Sequence, residues 1–208
     1  MKDSLNVLLV GVGGQGTILA SDILAHVGLA AGLDVKQAEV HGMSQRGGSV
    51  MSHVRWGRRV YSPLVAAGEV DALVAFERVE ALRYLHHLRP GGRAIVNLAT
   101  IVPVTVSSLG QHYPDDEELR AACSHLTTPA LIVDGPSIAR QLGDAKVMNT
   151  VLLGALSAAF ESDPTIVSEY RPSERVWLEV IAQRAPKRYV ELNRNAFLAG
   201  RTTVLATA

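Results

Sequence analysis

The chain has 208 residues, of which 48% are apolar, and its 20 basic and 20 acidic residues leave no formal net charge. That length and apolar content suit one domain with a substantial core and disfavour global disorder. The balanced charge gives no electrostatic reason to expect nucleic acid or an anionic membrane as a partner. The apolar runs are too short for a spanning helix, and the N-terminal one leads directly into glycines, unlike a signal peptide, so we expect a cytoplasmic protein.

The first third of the chain predicts a β-α-β unit. Residues 6–10 form a short apolar run that ends in glycines, as a buried parallel strand does. The helix that follows has apolar residues at three- and four-residue spacing, and Gly32 is its predicted terminator. Residues 35–40 then predict the second strand.

The pattern changes after residue 50. Apolar and polar residues alternate over 50–56, which predicts a strand with one buried face. Gly57 and Arg58 could then turn the chain back into a short strand at 59–61. We interpret this segment as an antiparallel β-hairpin inserted into an α/β order.

Strands and helices alternate through the remainder of the chain. We predict an α/β fold with an open, mostly parallel sheet, flanking helices, the inserted β-hairpin and a helical C-terminal extension. One domain is expected over 1–208, with the extension at 165–208 following a proline-bounded loop at 164–172. The remaining predicted strands are 72–76, 94–98 and 131–133, and the remaining predicted helices are 79–88, 115–125, 136–142, 147–160, 173–184 and 187–199.

A glycine-rich turn joins the first strand to the first helix. Gly11, Gly13 and Gly16 have the G-x-G-x-x-G spacing, which allows a tight turn, close approach of a phosphate, and close helix packing. The N–H groups of the helix N-terminus favour an anion at the same place. Gly14 and Gln15 complete the candidate binding turn and depart from the usual nicotinamide pattern.

The ligand of this turn stays open at this point. A dinucleotide site needs an acid at the end of the second strand to hold the ribose, and Glu39 is the candidate. A freestanding NAD(P)-binding oxidoreductase is therefore one alternative. A turn that uses its glycines for packing alone is another.

The ten residues HGMSQRGGSV, at 41–50, contain many polar side chains and lie between two apolar runs. Successive backbone N–H groups beside a guanidinium suit a phosphate or carboxylate. Because this loop leaves the carboxyl end of a strand, where open α/β sheets bind ligands, we expect it to converge with the glycine turn. The alternative is a hairpin connection with polar surface residues. The candidate binding residues are His41, Ser44, Gln45, Arg46, Gly47 and Gly48.

Together these motifs resemble a known family. GVGGQG followed by EVHGMSQRGGSV, VRWG and VYSP is similar to the gamma-type domain of the 2-oxoacid:ferredoxin oxidoreductases, and most similar to the beta subunits of its indolepyruvate-specific members. The resemblance continues through ALVAFERVEALRYLHHLRPGG, KVMNTVLLGAL and APKRYVELNRNAFLAG, so it covers nearly the whole chain.

The resemblance implies oxidative decarboxylation of a 2-oxo acid such as indole-3-pyruvate. It implies thiamine diphosphate, Mg²⁺, iron–sulfur clusters, transfer of the acyl group to coenzyme A, and ferredoxin as electron acceptor. Cys123 is the single cysteine, whereas a cluster needs several thiolates, and the chain has no Gly-Asp-Gly segment followed by paired asparagines, which would indicate a diphosphate–Mg²⁺ site. A larger partner subunit must therefore carry both the clusters and thiamine diphosphate. This chain would complete the assembly and contact coenzyme A, and it could self-associate when expressed alone.

Several residues keep a plain structural interpretation. His41 is interpreted as a hydrogen-bonding residue, Asn149 as a capping or packing residue, and Trp177 as a core or intersubunit anchor. Cys123 is interpreted as a small apolar helix residue rather than a nucleophile. No catalytic residue and no metal site is predicted in this chain.

Overall fold

In the computed structural model, residues 4–41, 48–102 and 112–205 are described. They form a six-stranded sheet in the order β2-β3-β1-β4-β5-β6. Neighbouring β1, β4, β5 and β6 are parallel, whereas β3 is antiparallel to both of its neighbours. The strands are β1 (Ser4–Val12), β2 (Asp34–His41), β3 (Ser49–Gly57), β4 (Val70–Ala75), β5 (Leu88–Asn97) and β6 (Leu131–Val133).

Seven α-helices flank this sheet within the described residues, as the predicted α/β fold class requires. None of them is long and apolar enough to span a membrane. They are α1 (Thr17–Ala30), α2 (Arg78–Tyr84), α3 (Asp116–Ser124), α4 (Gly135–Gln141), α5 (Met148–Ser162), α6 (Glu174–Arg184) and α7 (Val190–Leu205). Short 3-10 turns lie at Leu85–His87, Ala145–Val147, Ser168–Tyr170 and Lys187–Tyr189.

The inserted antiparallel strand is present, but the predicted return strand at 59–61 is wrong. β3 pairs with β2 on one side and with β1 on the other, so both of its edges are already occupied. The chain after β3 instead folds over one face, where the Arg55 guanidinium donates to the carbonyl oxygens of Ser62 and Leu64, each at 3.0 Å. The hairpin is therefore β2–β3.

The same arrangement changes the predicted β-α-β unit. β1 and β2 run in the same direction, but β3 lies between them. The Arg-Pro-Gly-Gly sequence at 89–92 predicts a turn that ends the helix at 79–88, but these residues belong to β5, so that prediction is wrong. Gly91 has a φ of 75°, and the pairing of β4 with β5 shifts register between Val70 and Ala72. The first residues of β5 are therefore irregular, which explains why their sequence is typical of a turn.

Two apolar layers fill the space on either side of the sheet. The larger layer holds β1, β4, α1, α5, α6 and α7, and the smaller holds the opposite strand faces with α2 and α3. Trp177 is fully buried in the larger layer and stacks on Phe197 with ring centroids 5.7 Å apart, which confirms a core role. The C-terminal helices are thus part of the core, while one domain over 1–208 with a boundary at 165 stays a prediction.

Cys123 lies in the smaller layer. The side chain is buried among apolar neighbours, and this burial raises the pKa of the thiol. A raised pKa disfavours the thiolate that a nucleophile would need, which agrees with the packing interpretation.

Candidate functional site

The glycine turn leaves the carboxyl end of β1 and enters α1. A Cβ on Gly11 would lie 2.8 Å from the Cβ of Phe76, so the first glycine is required for packing against the end of β4. Gly16 has a φ of 79°, and a Cβ there would lie 2.8 Å from the Asn149 side-chain nitrogen. Both glycines are therefore needed by the fold whether or not a ligand binds.

Gln15 braces the turn from inside. Its side-chain oxygen accepts a hydrogen bond from Val12 N at 2.8 Å, and its side-chain nitrogen donates to the Phe76 carbonyl at 2.9 Å. The amide therefore joins the turn to the end of β4, and contact with a cofactor stays a prediction for this residue. Asn97 donates to the same carbonyl at 3.0 Å and accepts from Gly135 N, which extends the brace to α4.

The start of α1 is suited to an anion. Its N-cap residue, Gly16, provides no side-chain hydrogen bond to the helix, and free N–H groups at a helix N-terminus carry partial positive charge. Gly14 is exposed, with a φ of 104° and no atom within 4 Å of the position its Cβ would occupy. The Thr17 hydroxyl is buried and has no hydrogen-bond partner among the described residues.

The two polar loops meet at this edge of the sheet. Gly13 N donates to the carbonyl oxygen of Gly48 at 2.9 Å, and Val12 pairs with Ser49 in the β1–β3 register. Ser44, Gln45, Arg46 and Gly47 lie outside the described residues, so their part in binding stays a prediction.

His41 ends β2 in an exposed position. It pairs with Val50 of β3, and Val50 in turn pairs with Gly11, so the three residues lie side by side across the sheet. Two strand spacings of about 4.8 Å each separate the His41 and Gly11 backbones. His41 is thus at the same edge of the sheet as the glycine turn, two strands away.

A buried acidic pair beside the loops was missed by the sequence analysis. Glu77 and Glu80 are 1% and 4% exposed, and the Ser49 hydroxyl donates to Glu80 at 2.5 Å. Arg83 forms an ion pair with the other Glu80 oxygen at 3.1 Å. Burial raises the pKa of Glu80, against the lowering effects of Ser49 and Arg83. The sequence does contain an indication of this pair, because the segment Phe76-Glu77-Arg78 places an acid directly after an apolar parallel strand.

Glu77 itself has structural partners. It caps α2 by accepting from Glu80 N at 3.1 Å, and the Tyr113 hydroxyl donates to its other carboxylate oxygen. Burial and this carboxylate raise the pKa of Tyr113, so the phenol stays protonated as a donor. The acidic pair therefore holds α2 and Ser49 at the edge where the loops meet.

Asn149 closes the site from the first turn of α5. Its side-chain nitrogen donates to the Gly16 carbonyl at 3.4 Å, and its oxygen accepts from Thr150 N at 2.8 Å. These contacts agree with the capping or packing role expected from the sequence.

The position of Glu39 disfavours a dinucleotide. In a dinucleotide-binding fold the ribose acid ends the strand next to the glycine turn. Here β3 lies between β1 and β2, which separates Glu39 from the turn by an additional strand.

Comparison with known proteins decides the family. The family of pyruvate ferredoxin/flavodoxin oxidoreductases matches residues 6–203. The chain belongs to this family. The match confirms the resemblance predicted from the sequence and gives no support to a freestanding NAD(P) enzyme.

Individual relatives agree with the family match. The chain is 37% identical over 196 residues to the indolepyruvate oxidoreductase subunit IorB of Thermococcus kodakarensis, covering 94% of this chain and 93% of that one. It shares its fold with the gamma subunit of a keto/oxoacid ferredoxin oxidoreductase from Geobacter sulfurreducens, at 24% identity and a TM-score of 0.69, over 97% of this chain and 99% of that one.

A second similar structure is a longer polypeptide. It is a 2-oxoglutarate:ferredoxin oxidoreductase from Magnetococcus marinus with 2-oxoglutarate, coenzyme A and succinyl-CoA bound. The similarity covers 99% of this chain and 32% of that one, at 21% identity and a TM-score of 0.72. At this identity the comparison establishes the shared fold.

Proposed function

We propose that this chain is the small subunit of a 2-oxoacid:ferredoxin oxidoreductase that converts an aryl 2-oxo acid, such as indole-3-pyruvate, to its acyl-CoA. Membership of the family supports the reaction class, and similarity to an indolepyruvate oxidoreductase subunit over 94% of the chain supports the substrate. The carboxylate carbon leaves as CO2, the acyl group joins the coenzyme A thiol, and the released electrons reduce ferredoxin.

A larger subunit carries the redox chemistry. The single cysteine of this chain cannot ligate an iron–sulfur cluster, because a cluster needs several thiolates. The clusters therefore belong to the partner, which also passes electrons to ferredoxin. We assign thiamine diphosphate and Mg²⁺ to the same partner, because this chain has no Gly-Asp-Gly segment of the kind that binds a diphosphate with Mg²⁺. The isolated small subunit is inactive, and self-association when it is expressed alone is a second arrangement to test.

The glycine turn and the 44–48 loop contact the phosphates of coenzyme A in this proposal. The hydrogen bond between Gly13 and Gly48 is the observation that carries it, because it brings both loops to the start of α1. The uncapped helix N-terminus and the open position at Gly14 suit a phosphate. Arg46 would supply the positive charge that balances it.

Co-expression with the larger subunit tests the assembly. A tag on the larger subunit should retain this chain through size-exclusion chromatography. Oxidation of indole-3-pyruvate, followed as reduction of ferredoxin, should require both chains. A larger subunit that is fully active without this chain would contradict the proposal.

Substitution of Arg46 tests the coenzyme A contact. Arg46→Ala should raise the apparent KM for coenzyme A by about tenfold, because an arginine–phosphate hydrogen bond is lost, and should leave the KM for the 2-oxo acid nearly unchanged. Arg59→Ala is the matched control, since Arg59 is exposed and lies over the Tyr61 ring, 5.1 Å from its centroid. Equal increases in both KM values would contradict the phosphate role.

A further inference from the structure

A second polar cleft lies at the opposite edge of the sheet from β2. It has a volume of about 560 Å³, and the residues that line it include β6, the ends of α5 and α7, Arg93 and Arg120. A smaller hollow of about 290 Å³ adjoins it and also includes Arg120 and Ile132. The two spaces together extend around the free side of β6.

The cleft is remote from the glycine turn. Asn149 in the first turn of α5 contacts Gly16, whereas Ser162 at the other end of the helix lines the cleft. Because an α-helix rises about 1.5 Å per residue, the two ends of α5 are roughly 20 Å apart. A ligand in the cleft would therefore not touch the candidate coenzyme A site.

Arg93 and Arg120 lack the partners that other arginines have. Arg89 forms an ion pair with Asp71 at 2.6 Å, and Arg201 forms one with Glu174 at 2.8 Å. Within residues 4–41, 48–102 and 112–205, neither Arg93 nor Arg120 forms an ion pair or a side-chain hydrogen bond, and the Arg93 Nε is fully buried. A carboxylate in the cleft would give these two guanidinium groups the ion-pair partner that Arg89 and Arg201 already have.

Among the residues that the structure describes, β6 is the last strand of the sheet and has a neighbour on one side only. β6 has three residues, and its described pairing is with Ile95–Asn97 of β5 on one side. The first half of β5, which includes Arg93, lies before the residues that pair with β6. Leu131 and Ile132 are both partly exposed, so neither face of β6 is fully covered. An edge of this kind can accept an added strand through its free N–H and carbonyl groups.

We propose that β6 and the Arg93–Arg120 cleft bind an extended acidic segment of the larger subunit, added as a strand beside β6. The proposal rests on the function proposed above for this chain. A small anion would neutralise the two arginines but would leave the strand edge unpaired, whereas an acidic peptide satisfies both. Leu131 and Ile132 also line the cleft and are partly exposed, so their apolar side chains would pack against residues of the added strand.

Titration of the larger subunit with this chain tests the proposal. The double variant Arg93→Gln/Arg120→Gln should raise the concentration of small subunit needed for half-maximal activity by about tenfold, and this difference should shrink in high salt. The turnover at saturating small subunit should stay within about twofold of wild type, since the cleft is remote from the candidate site. Arg175→Gln is the matched control, because that side chain is 82% exposed and its ion pair is long at 3.7 Å.

Hydrogen exchange and a single variant distinguish a wrong proposal from a variant that does not fold. Hydrogen exchange at the amides of Ala130–Ile132 should slow in the wild-type complex, as strand addition requires. Should the double variant fail to fold, Arg120→Gln alone decides, because Arg120 is exposed on α3. Wild-type affinity in the variant that folds, or unchanged exchange at β6, would overturn this inference. Failure of the wild-type chains to associate would instead overturn the proposed function.

Discussion

Gly154 of α5 and Gly200 of α7 bring the backbones of these two helices into direct contact. A Cβ on Gly154 would lie 2.0 Å from the Phe197 carbonyl oxygen, and one on Gly200 would lie 1.9 Å from the Val151 carbonyl oxygen. Neither neighbour is a flexible side chain that could move aside. The position of α7 in the core therefore depends on the absence of a side chain at both glycines.

Gly154→Ala should strongly destabilise the protein. The added methyl group meets backbone, so α7 must move away from α5, and we expect a loss of roughly 3 kcal/mol or more in the free energy of unfolding. Urea unfolding followed by circular dichroism measures this loss. Leu198→Ala, at a partly exposed position of α7, is the control and should cost much less. Unfolding of Gly154→Ala at the wild-type urea concentration would contradict the contact.

Gln15→Ala should destabilise the glycine turn from inside. It leaves Val12 N without its acceptor and removes one of the two donors to the Phe76 carbonyl, so we expect a loss of about 1–3 kcal/mol. Gln15→Glu retains an acceptor for Val12 N but sets a carboxylate oxygen against the Phe76 carbonyl oxygen, so at neutral pH it should also destabilise the protein. Thermal unfolding of the three proteins gives the comparison. Equal stability of all three would show that the amide does not brace the turn.

Ser49→Ala should lower stability increasingly as the pH rises. The Ser49 hydroxyl lowers the pKa of buried Glu80, so without it that pKa rises further above its usual value of 4.5. A raised carboxyl pKa stabilises the folded state at low pH, and that contribution is lost as the pH rises through the folded value. Denaturant unfolding should thus show a larger loss near pH 8 than near pH 5. In the Glu80→Gln background, Ser49→Ala should lose this pH dependence.

His53 should make the protein less stable in weak acid. Burial lowers the pKa of this imidazole below 6.5, and the nearby positive charges of His87 and Arg55 add to the shift. Its Nδ1 accepts a hydrogen bond from Val65 N at 3.3 Å, which requires that nitrogen to be unprotonated. The contribution of neutral His53 is therefore complete above pH 6.5 and is lost as the pH falls through the folded pKa.

Urea unfolding at a series of pH values checks this expectation. His53→Gln should flatten the decline in the free energy of unfolding below pH 6.5, whereas His125→Gln, at an exposed position, should not. A decline that is the same in both variants and in wild type would assign the acid sensitivity to other groups, such as His87, whose pKa is also lowered by burial.

The α/β class, most of the helices and strands, and the family could be predicted from the sequence alone. The glycine turn, the first helix and the apolar strands follow from local chemistry, since glycine conformations and hydrophobic periodicity depend on neighbours along the chain. The single cysteine excluded iron–sulfur ligation in the same direct way.

Tertiary structure decided which strands are neighbours. Alternation over 50–56 indicated an antiparallel strand but could not indicate that its partners are β2 and β1, because pairing depends on which edges remain free after the sheet assembles. The hydrogen bond between Gly13 and Gly48, the burial of Glu80, and an Arg93 Nε without a hydrogen-bond partner in the described part of the chain all follow from that assembly. These relationships join residues distant in sequence, and periodicity and turn chemistry carry no information about such contacts.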